Sequence, residues 1–517
     1  MTATTSPLLT TEDAPAPVPR RWWALAAVCL SVLVLGFDST ILNVALPTMA
    51  VQLHAGTGQL QWIVDAYLVV FAAAMLPAGL LGDRFGRRRL LIAGLTLFGA
   101  ASLVGTLTDS SATLIAVRAV MGLGGAFIMP LGMAIIPGLF PSAERARAVA
   151  VMTAGMAIGM PLGPILGGLL LTRFWWGSIF LINIPLIVIG IVALLLLVPE
   201  SRNPAVPRID LLSTLLGVGG LAALTFGIIQ GPSDGWGSAE VVGPLVASVL
   251  LLTGLVLRER TQPDPMLDFT LLGNAVYRWN LLATVLITFV LMGALFVLPQ
   301  YLQSVLGNSA LGTGVRLMPL MGGLLVAARL SERLVARIAV RGVVTAGLLL
   351  VAVAMFLGAR TSTTDGYGWT ALWLSVLGLG MGLTMVPAMG AAMAVLPEER
   401  AGVGSGLLQT LRQCASAIGV ALLGSLLLGV YTGDLRTGDL PAAAASTARG
   451  SVSAAQAVAD KLHDTALAAS AHSAFVHGMT MVLLVCGIAA SLSALLIAAR
   501  MPGDVAKTAA HPGQSVA

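Results

Sequence analysis

Charge is scarce in this sequence of 517 residues: Asp, Glu, Lys and Arg together make up only 10% of it. A water-soluble domain carries about 25% of these residues, because they cover its surface. Hydrophobic residues reach 57%, and the mean hydropathy is +0.93. This balance excludes a water-soluble globular protein and indicates a surface that faces mainly lipid.

Cysteine and histidine are also rare. Cys29, Cys414 and Cys486 all lie in apolar runs without metal-ligand spacing, which excludes a disulfide framework. The five histidines are scattered, and the chain has neither a His-Glu-x-x-His motif nor a phosphate-binding glycine–lysine loop. We therefore expect no metal, no other cofactor and no enzymatic activity. A membrane enzyme or receptor remains the alternative from another class.

Long apolar runs fill most of the sequence. About 20 apolar residues are needed to cross a membrane as a helix. Fourteen runs of this kind lie near 22–46, 62–81, 90–107, 112–136, 149–171, 177–198, 210–230, 240–258, 279–303, 312–330, 342–360, 369–393, 402–428 and 475–498. We predict an all-α polytopic membrane protein with about 14 transmembrane helices.

Two short segments repeat each other at matching places. Leu81-Gly82-Asp83-Arg84 follows the second run and Leu330-Ser331-Glu332-Arg333 follows the tenth. A duplicated helical unit leaves such a repeat, so we predict two pseudo-symmetric six-helix bundles with two inserted central helices. The predicted segments are a disordered cytoplasmic tail (1–21), an N-terminal six-helix bundle (22–200), two extra helices (201–260), a C-terminal six-helix bundle (261–498) and a cytoplasmic tail (499–517). A long external loop at 429–474 is expected to form either an amphipathic helical hairpin or a mobile loop.

The basic residues predict the orientation. With the N-terminus in the cytoplasm, 20 of the 28 lie in cytoplasmic segments, six lie outside, and Arg118 and Arg412 lie within helices. The cytoplasmic set includes Arg208, Arg400 and Lys507. This asymmetry places both termini in the cytoplasm and explains the basic charge without nucleic acid. Because arginine outnumbers lysine and alanine is abundant, we expect a bacterial inner-membrane protein.

A loop rich in glycine and arginine follows the second run, from Gly79 to Arg89. Its glycines permit a tight turn, and Asp83 lies where it can meet the arginines or a helix end. The loop resembles the signature loop of the major facilitator superfamily, which latches the two halves in the outward-open state. The resemblance assigns the latch to Gly79, Gly82, Asp83, Arg84, Gly86, Arg87 and Arg88.

Glycines recur every four residues in the fifth run. This spacing forms a stripe along which another helix can approach closely, and packing alone is a sufficient explanation. The stripe also resembles the family's antiporter motif, which is associated with exporters. The motif residues are Gly155, Gly159, Pro161, Gly163, Pro164, Gly167 and Gly168.

Three ionisable residues lie inside apolar runs: Asp38, Asp65 and Arg118. A charged group in a membrane helix needs a partner or water, and a carboxyl group in a low-dielectric cavity can exchange protons. From the predicted helix ends, Asp38 lies about 12 Å and Asp65 roughly one turn inside the outer surface. Alternatively, Asp65 is a plain interfacial acid, and Arg118 extends to the outer interface.

The residues around these groups resemble the fourteen-helix drug:proton antiporters. Asp38-Ser-Thr-Ile-Leu-Asn-Val-Ala-Leu-Pro47 matches the first-helix motif of that branch, and Trp175, Trp176 and Asn183 follow its sixth-helix pattern. The resemblance implies that Arg118 takes part in proton transfer. The family's usual glutamine is replaced here by Met121.

The C-terminal half offers fewer candidates. Gln409, Arg412 and Gln413 lie near the thirteenth run and, with Tyr67, are our candidates for a substrate cavity. Arg412 is expected either to hydrogen-bond a substrate or to bridge neighbouring helices.

Together these features predict a proton-coupled antiporter that exports lipophilic, cationic drugs or antibiotics, working as a monomer in the lipid bilayer. Export of a specific metabolite or antibiotic made by the host is the main alternative. A nutrient importer fits less well, because the glycine stripe resembles that of exporters. Sodium instead of protons as the coupling ion also stays open.

Overall fold

The structure, a computed structural model, describes residues 20–202, 210–262, 265, 267–396, 401–438 and 440–502. Within these ranges the chain forms α-helices joined by short connections. They are α1 (Arg21–Gln52), α2 (Thr57–Phe85), α3 (Arg87–Leu107), α4 (Ser111–Leu139), α5 (Ser142–Arg173), α6 (Ser178–Leu181), α7 (Asn183–Leu197), α8 (Leu211–Asp234), α9 (Ala239–Thr261), α10 (Ala275–Gln300), α11 (Ala310–Arg316), α12 (Met318–Gly358), α13 (Tyr367–Ala394), α14 (Ala401–Asp434), α15 (Ala442–Gly450), α16 (Val452–Leu462) and α17 (Thr465–Arg500). Most of the predicted tails (1–21 and 499–517), namely residues 1–19 and 503–517, lies outside the described residues, as do Arg208, Arg400 and Lys507. Of the rest, Arg21 begins α1 and Arg500 ends α17.

Twelve helical stretches among the described residues are long and apolar enough to cross a membrane. This confirms the all-α polytopic class, and the count of fourteen stays a prediction. One of the twelve, Ala310–Gly358, contains both the tenth and the eleventh predicted runs. Ala339 interrupts it with a left-handed backbone (φ 60°). The fifth predicted run, 149–171, lies within the 32-residue helix α5.

Polar side chains fix where several helices begin. Asp210, Asn274 and Asp464 each accept hydrogen bonds from the two backbone N–H groups that open the following helix. Ser110 does the same for Thr113 at the start of α4. The first N–H groups of a helix have no partner within it, so these caps stabilise the starts of α4, α8, α10 and α17.

The first two helices are longer than predicted, so both acids lie farther from those helix ends than we expected. Asp38 lies 14 residues before the end of α1, or about 21 Å, and Asp65 lies eight residues after the start of α2, or about 12 Å. The first predicted run ends at Leu46, before Pro47, but the helix continues to Gln52. Pro47 also lies inside α1 without ending it.

The two ends of the helices form two faces. The arginine-rich face carries the α2–α3 turn around Gly86 and the start of α5; the opposite face carries the α1–α2 turn at 53–56 and the helices α15 and α16. We call α1–α7 the N-terminal half and α10–α17 the C-terminal half. Helices α8 and α9 pack against each other, and α8 also contacts α2 and α14. The predicted domain boundaries stay a prediction.

The two halves are joined by hydrogen bonds near the opposite face. Thr57 donates to the Gly450 carbonyl at 2.9 Å, and Gln303 donates to the Val44 carbonyl at 2.8 Å. The segment 429–474 contributes to this closure, because α15 and α16 form two short helices there and Gly450, which accepts from Thr57, ends α15. Within the C-terminal half, Ser453 of α16 pairs with Ser304 at 2.8 Å. The connection is shorter than expected, since α14 continues to Asp434 and α17 already begins at Thr465.

Candidate functional site

Asp38 and Arg118 form an ion pair in the interior of the N-terminal half. The Arg118 Nη1 atom donates to Asp38 Oδ2 at 2.7 Å, and each residue is only 1% exposed. The expectation that Arg118 extends to the interface is therefore wrong. A guanidinium this deep needs an opposite charge, and Asp38 supplies it.

Helix α2 supplies the other partners of Arg118. The Nε atom donates to the Ile63 carbonyl at 3.0 Å, and the guanidinium lies 4.4 Å from the centre of the Tyr67 ring. Tyr67 in turn stacks on Phe71, with ring centres 5.5 Å apart. Gly122 permits the close approach of α4 to α2 at this point, because a Cβ atom there would lie 2.4 Å from the Tyr67 carbonyl oxygen. Tyr67, which we predicted to line a substrate cavity, is thus 3% exposed and packs on Arg118.

Asp65 is buried without a partner. It is 0% exposed, and neither carboxyl oxygen has a hydrogen-bond partner among the described residues. The alternative of a plain interfacial acid is therefore wrong. Burying an ionised carboxylate without a partner is costly, so this is the least compensated ionisable group of the N-terminal half.

Gln61 indicates which way Asp65 faces. Gln61 donates to the carbonyls of Val420 and Ala421 in α14, at 3.2 and 2.8 Å. Residues four apart share one side of a helix, so Asp65 lies one turn from Gln61 on the side of α2 that packs against α14. Sequence reasoning missed Gln61; a glutamine one turn before an acid in an apolar run was the available signal.

The glycine stripe of α5 packs against α1, the helix that carries Asp38. A Cβ atom at Gly159 would lie 3.2 Å from the Leu33 carbonyl oxygen, and one at Gly163 would lie 3.0 Å from the Phe37 carbonyl oxygen. Gly155 and Gly167 continue this contact toward the two ends of α5. The stripe therefore sets the position of α1.

The same helix touches the C-terminal half through backbone atoms. A Cβ atom at Gly168 would lie 2.5 Å from Leu311 Cα, and one at Gly314 would lie 2.2 Å from the Pro164 carbonyl oxygen. Backbones that approach this closely need glycine on the facing helix. The side chain of the remaining motif residue, Pro161, lies outside the described part of the structure.

The glycine–arginine loop is bound within the N-terminal half. Asp83 pairs with Arg87 at 2.6 Å, and Arg87 also donates to the Ala134 carbonyl at 2.8 Å. Gly86 has φ 119°, a backbone conformation that favours glycine. Gly82 faces Leu131 and Gly79 faces Pro130, both in α4. The Arg84 guanidinium lies over the Phe85 ring at 5.6 Å.

Glu200 completes this loop and was missed by sequence reasoning. It accepts hydrogen bonds from the backbone N–H groups of Arg88 and Arg89, at 3.0 and 3.2 Å. These groups open α3, where a carboxylate is favoured by the helix dipole. The Arg88 side chain reaches the Val198 carbonyl at 2.9 Å. An acid directly after the sixth apolar run was the signal that could have identified it.

Arg412 is a half-buried cation of the C-terminal half, and its neighbours are neutral. It donates to Gln409 Oε1 at 2.6 Å, and its Nε atom lies 3.4 Å from Thr288 Oγ1. The Met389 sulfur is 4.0 Å away. Among the described residues no carboxylate forms an ion pair with Arg412. Gln413, the next residue of α14, is half-buried.

Buried charge thus differs between the halves. Among the described residues, the interior of the N-terminal half holds the carboxyl groups of Asp38 and Asp65 and the guanidinium of Arg118, whereas in the C-terminal half the half-buried Arg412 lies beside amide and hydroxyl groups. The described residues contain no cluster of three or more His, Cys, Asp or Glu that could hold a metal ion. One cavity of about 1150 Å³ lies between the end of α14 and the start of α17, and none of the predicted cavity residues lines it.

Known proteins match this chain over most of its length. The family model described as Major Facilitator Superfamily matches residues 28–420. The Tetracenomycin C resistance and export protein of Streptomyces glaucescens is 32% identical over 489 residues, which cover 92% of this chain and 90% of the relative. The multidrug efflux pump LfrA of Mycolicibacterium smegmatis is 32% identical over 469 residues, covering 89% of this chain and 92% of the pump.

Solved structures share the fold at lower identity. A bacterial homolog of the human lysosomal transporter Spinster, in an inward-facing and unoccupied conformation, matches with a TM-score of 0.67 at 16% identity, covering 94% of this chain and 98% of the homolog. The D-xylose-proton symporter matches with a TM-score of 0.61 at 14% identity, covering 93% of this chain and 98% of the symporter.

Proposed function

Because the chain belongs to the major facilitator superfamily and buries an acid without a partner, we propose that it exports small molecules in exchange for protons. The family consists of transporters rather than enzymes. Relatives that match about nine-tenths of the chain are named for drug or antibiotic export and efflux, so the protein is a multi-pass efflux transporter. The coupling ion, the charge of the substrate and the site residues are the proposed part.

The burial of Asp65 is the observation that supports proton coupling. Its carboxyl group is fully buried and has no hydrogen-bond partner among the described residues. A proton removes the cost of the buried charge, and a cationic substrate can do the same. We assign to Asp65 the exchange of a proton for a lipophilic cation.

Asp38 has a different part in this proposal. Its ion pair with Arg118 matches its charge in the present conformation, so it exchanges a proton only when the pair opens. Tyr67 and the Ile63 carbonyl hold Arg118 to α2, the helix that also carries Asp65. A movement of α1 relative to α2 would therefore change the charge balance around both acids.

Alternating access supplies that movement. Among the described residues, hydrogen bonds between the two halves cluster near the opposite face, including those from Gln61 and Thr57 to the C-terminal half. We propose that the arginine-rich face is cytoplasmic, as the positive-inside rule indicates, and that this arrangement is closed to the outside. The protein would then work as a monomer in the bacterial inner membrane, with both termini in the cytoplasm.

The contacts of the glycine–arginine loop agree with an arrangement that is closed to the outside. Its described contacts stay within the N-terminal half, at Ala134, Val198 and Glu200. A latch that holds the outward-open state would be released when the outer face is closed. We propose that Asp83 and Arg84 cross to the C-terminal half only in the other conformation.

Asp65→Asn tests the proton role. We expect purified protein in proteoliposomes to lose export of ethidium driven by a proton gradient, while its melting temperature stays the same or rises because a buried unpaired acid is removed. Asp109→Asn is the matched control, since Asp109 is exposed in the loop before α4. Proton-driven export that is undiminished in Asp65→Asn would remove Asp65 from the mechanism.

Export of a host-made antibiotic is the second candidate. The Streptomyces glaucescens relative, which matches 92% of this chain, is named for resistance to and export of a single compound, tetracenomycin C. A susceptibility panel in an exporter-deficient bacterial host would separate the two. Resistance to one compound class favours the dedicated exporter, and resistance to many lipophilic cations favours the broad one.

A further inference from the structure

Arg412 has hydrogen-bonding capacity that its neighbours do not use. A guanidinium has five N–H donors, and the described partners of Arg412 are Gln409 and Thr288, with the Met389 sulfur at 4.0 Å. They engage Nη1 and Nε, whereas Nη2 donates to none of the described residues. The residue is half-buried rather than sealed, so this edge of the guanidinium can reach a ligand.

A polar stripe on α10 leads to Arg412. Asn280, Thr284 and Thr288 are spaced four residues apart and therefore share one side of the helix. Each is at most 4% exposed, and each side chain donates to a backbone carbonyl one turn earlier. The Asn280 Oδ1 atom accepts no hydrogen bond from the described residues. The stripe begins near the arginine-rich face and ends at Arg412, roughly 20 Å along α10 from its start.

The charge at the end of this stripe is positive and is not balanced by a described acid. Arg412 has no ion-pair partner among the described residues, whereas Arg118 is matched by Asp38. A guanidinium whose Nη2 atom is free suits an ionised oxygen group, to which this nitrogen can donate a charge-assisted hydrogen bond. A cation at the same place would be repelled.

We propose that Arg412, Gln409 and Thr288 form a subsite in the C-terminal half for an ionised oxygen of the exported molecule, a carboxylate or a phenolate. The substrates then include acidic or zwitterionic lipophilic compounds, with the acidic group on the C-terminal half and the remainder toward the N-terminal half. The inference rests on the proposed export function for its place in transport, but the subsite itself is a matter of binding.

Binding to the purified full-length chain in a neutral detergent tests the subsite. Fluorescein is the anionic probe and ethidium the cationic probe, each followed by fluorescence anisotropy. We expect Arg412→Gln to weaken fluorescein binding by about tenfold or more and ethidium binding by less than about twofold. Arg360→Gln is the matched control, because it removes the same charge from an exposed position.

Gln409→Glu is the sharper variant. The two side chains have nearly the same shape, and the new carboxylate would lie where the amide oxygen now accepts from Arg412 at 2.6 Å. It would occupy the guanidinium and cancel its charge, so fluorescein binding should fall as it does in Arg412→Gln. Equal melting temperatures of variant and parent would exclude unfolding as the cause.

Three results would overturn the subsite: no fluorescein binding by the parent chain, unchanged binding in both variants, or equal weakening of both dyes. The last result would make Arg412 a structural bridge between α10 and α14. Failure of the export proposal is seen in a different measurement. If Asp65→Asn still exports ethidium, the proposed role of Asp65 is wrong, but fluorescein binding at Arg412 is not affected. Conversely, loss of the subsite leaves proton-driven ethidium export unaffected.

Discussion

Arg118 of the N-terminal half and Arg412 of the C-terminal half lie in opposite surroundings. Arg118 has an acid at 2.7 Å, a backbone carbonyl and an aromatic ring, and it is 1% exposed. Arg412 has a glutamine and a threonine, and it is half-buried. The first is tied to three structural partners, whereas the second keeps donors available. A buried charge with matched partners belongs to the architecture, and one with neutral partners is open to a ligand.

The largest effect should come from removing the partner of Arg118. Asp38→Asn leaves a buried guanidinium without an opposite charge, and we expect a loss of about 3–5 kcal/mol in the free energy of unfolding. Chemical denaturation of the purified protein in detergent measures it. Adding Arg118→Gln should restore much of the loss. If Asp38→Asn were as stable as the parent, the ion pair would not be structural, and the contrast between the halves would disappear.

Tyr67 should have the next largest effect. Tyr67→Leu removes the ring that faces the Arg118 guanidinium at 4.4 Å, and we expect a loss of about 2 kcal/mol, because cation–π contacts are stronger when both groups are desolvated. Tyr67→Phe keeps the ring and serves as the control. Similar losses in the two variants would show that the hydroxyl group, and not the ring, is what matters.

Arg412→Gln should be milder. The variant loses a hydrogen bond to Gln409 but leaves no buried charge behind, so we expect a loss of about 1 kcal/mol. The same denaturation experiment compares it directly with Asp38→Asn. A loss as large as that of Asp38→Asn would indicate that Arg412 also has a structural acid partner in the folded protein.

The smallest effect is expected at an ion pair near the surface. Hydrogen bonds from Arg258 hold the pKa of Asp210 at about 2, below its ordinary value of 3.8. The pair therefore stabilises the fold above about pH 4, and the stabilisation is lost as the pH falls toward 2. Asn caps helices as well as Asp does, so Asp210→Asn isolates the ion pair.

We expect this variant to lower the melting temperature by under about 2 °C at pH 6, because exposed pairs contribute little. The difference from the parent should narrow as the pH is lowered from 5 to about 2.5. A difference that does not change with pH would assign the effect to the cap alone.

The fold class could be predicted because a helix that crosses lipid must be long and apolar, and this pattern is readable residue by residue. The distance of Asp38 from the end of α1 could not be predicted. The first apolar run ends at Leu46, but the helix continues through Pro47 to Gln52. Asp38 and Arg118 were each recognised as functional candidates. Their pairing joins residues 80 positions apart and depends on how α1 and α4 pack, which no local pattern encodes.

Polar residues at the helix ends were the least predictable. Gln61 and Glu200 act on partners in distant elements, α14 and α3, so their neighbours in the sequence give no indication of what they bind. The glycine stripe of α5 was visible, but that its end also meets α11 was not. The spacing of glycines predicts a close contact and does not identify the partner helix.

The glycine contacts of α5 have a mechanical consequence. On one side its backbone meets α1 near Phe37, and on the other it meets α11 at Leu311, in each case without an intervening side chain. Side chains absorb small shifts by changing rotamer, but backbone atoms in direct contact cannot. A displacement of α11 is therefore expected to shift α5 and, with it, the part of α1 that carries Asp38, so movement between the halves and the Asp38–Arg118 pair are mechanically linked.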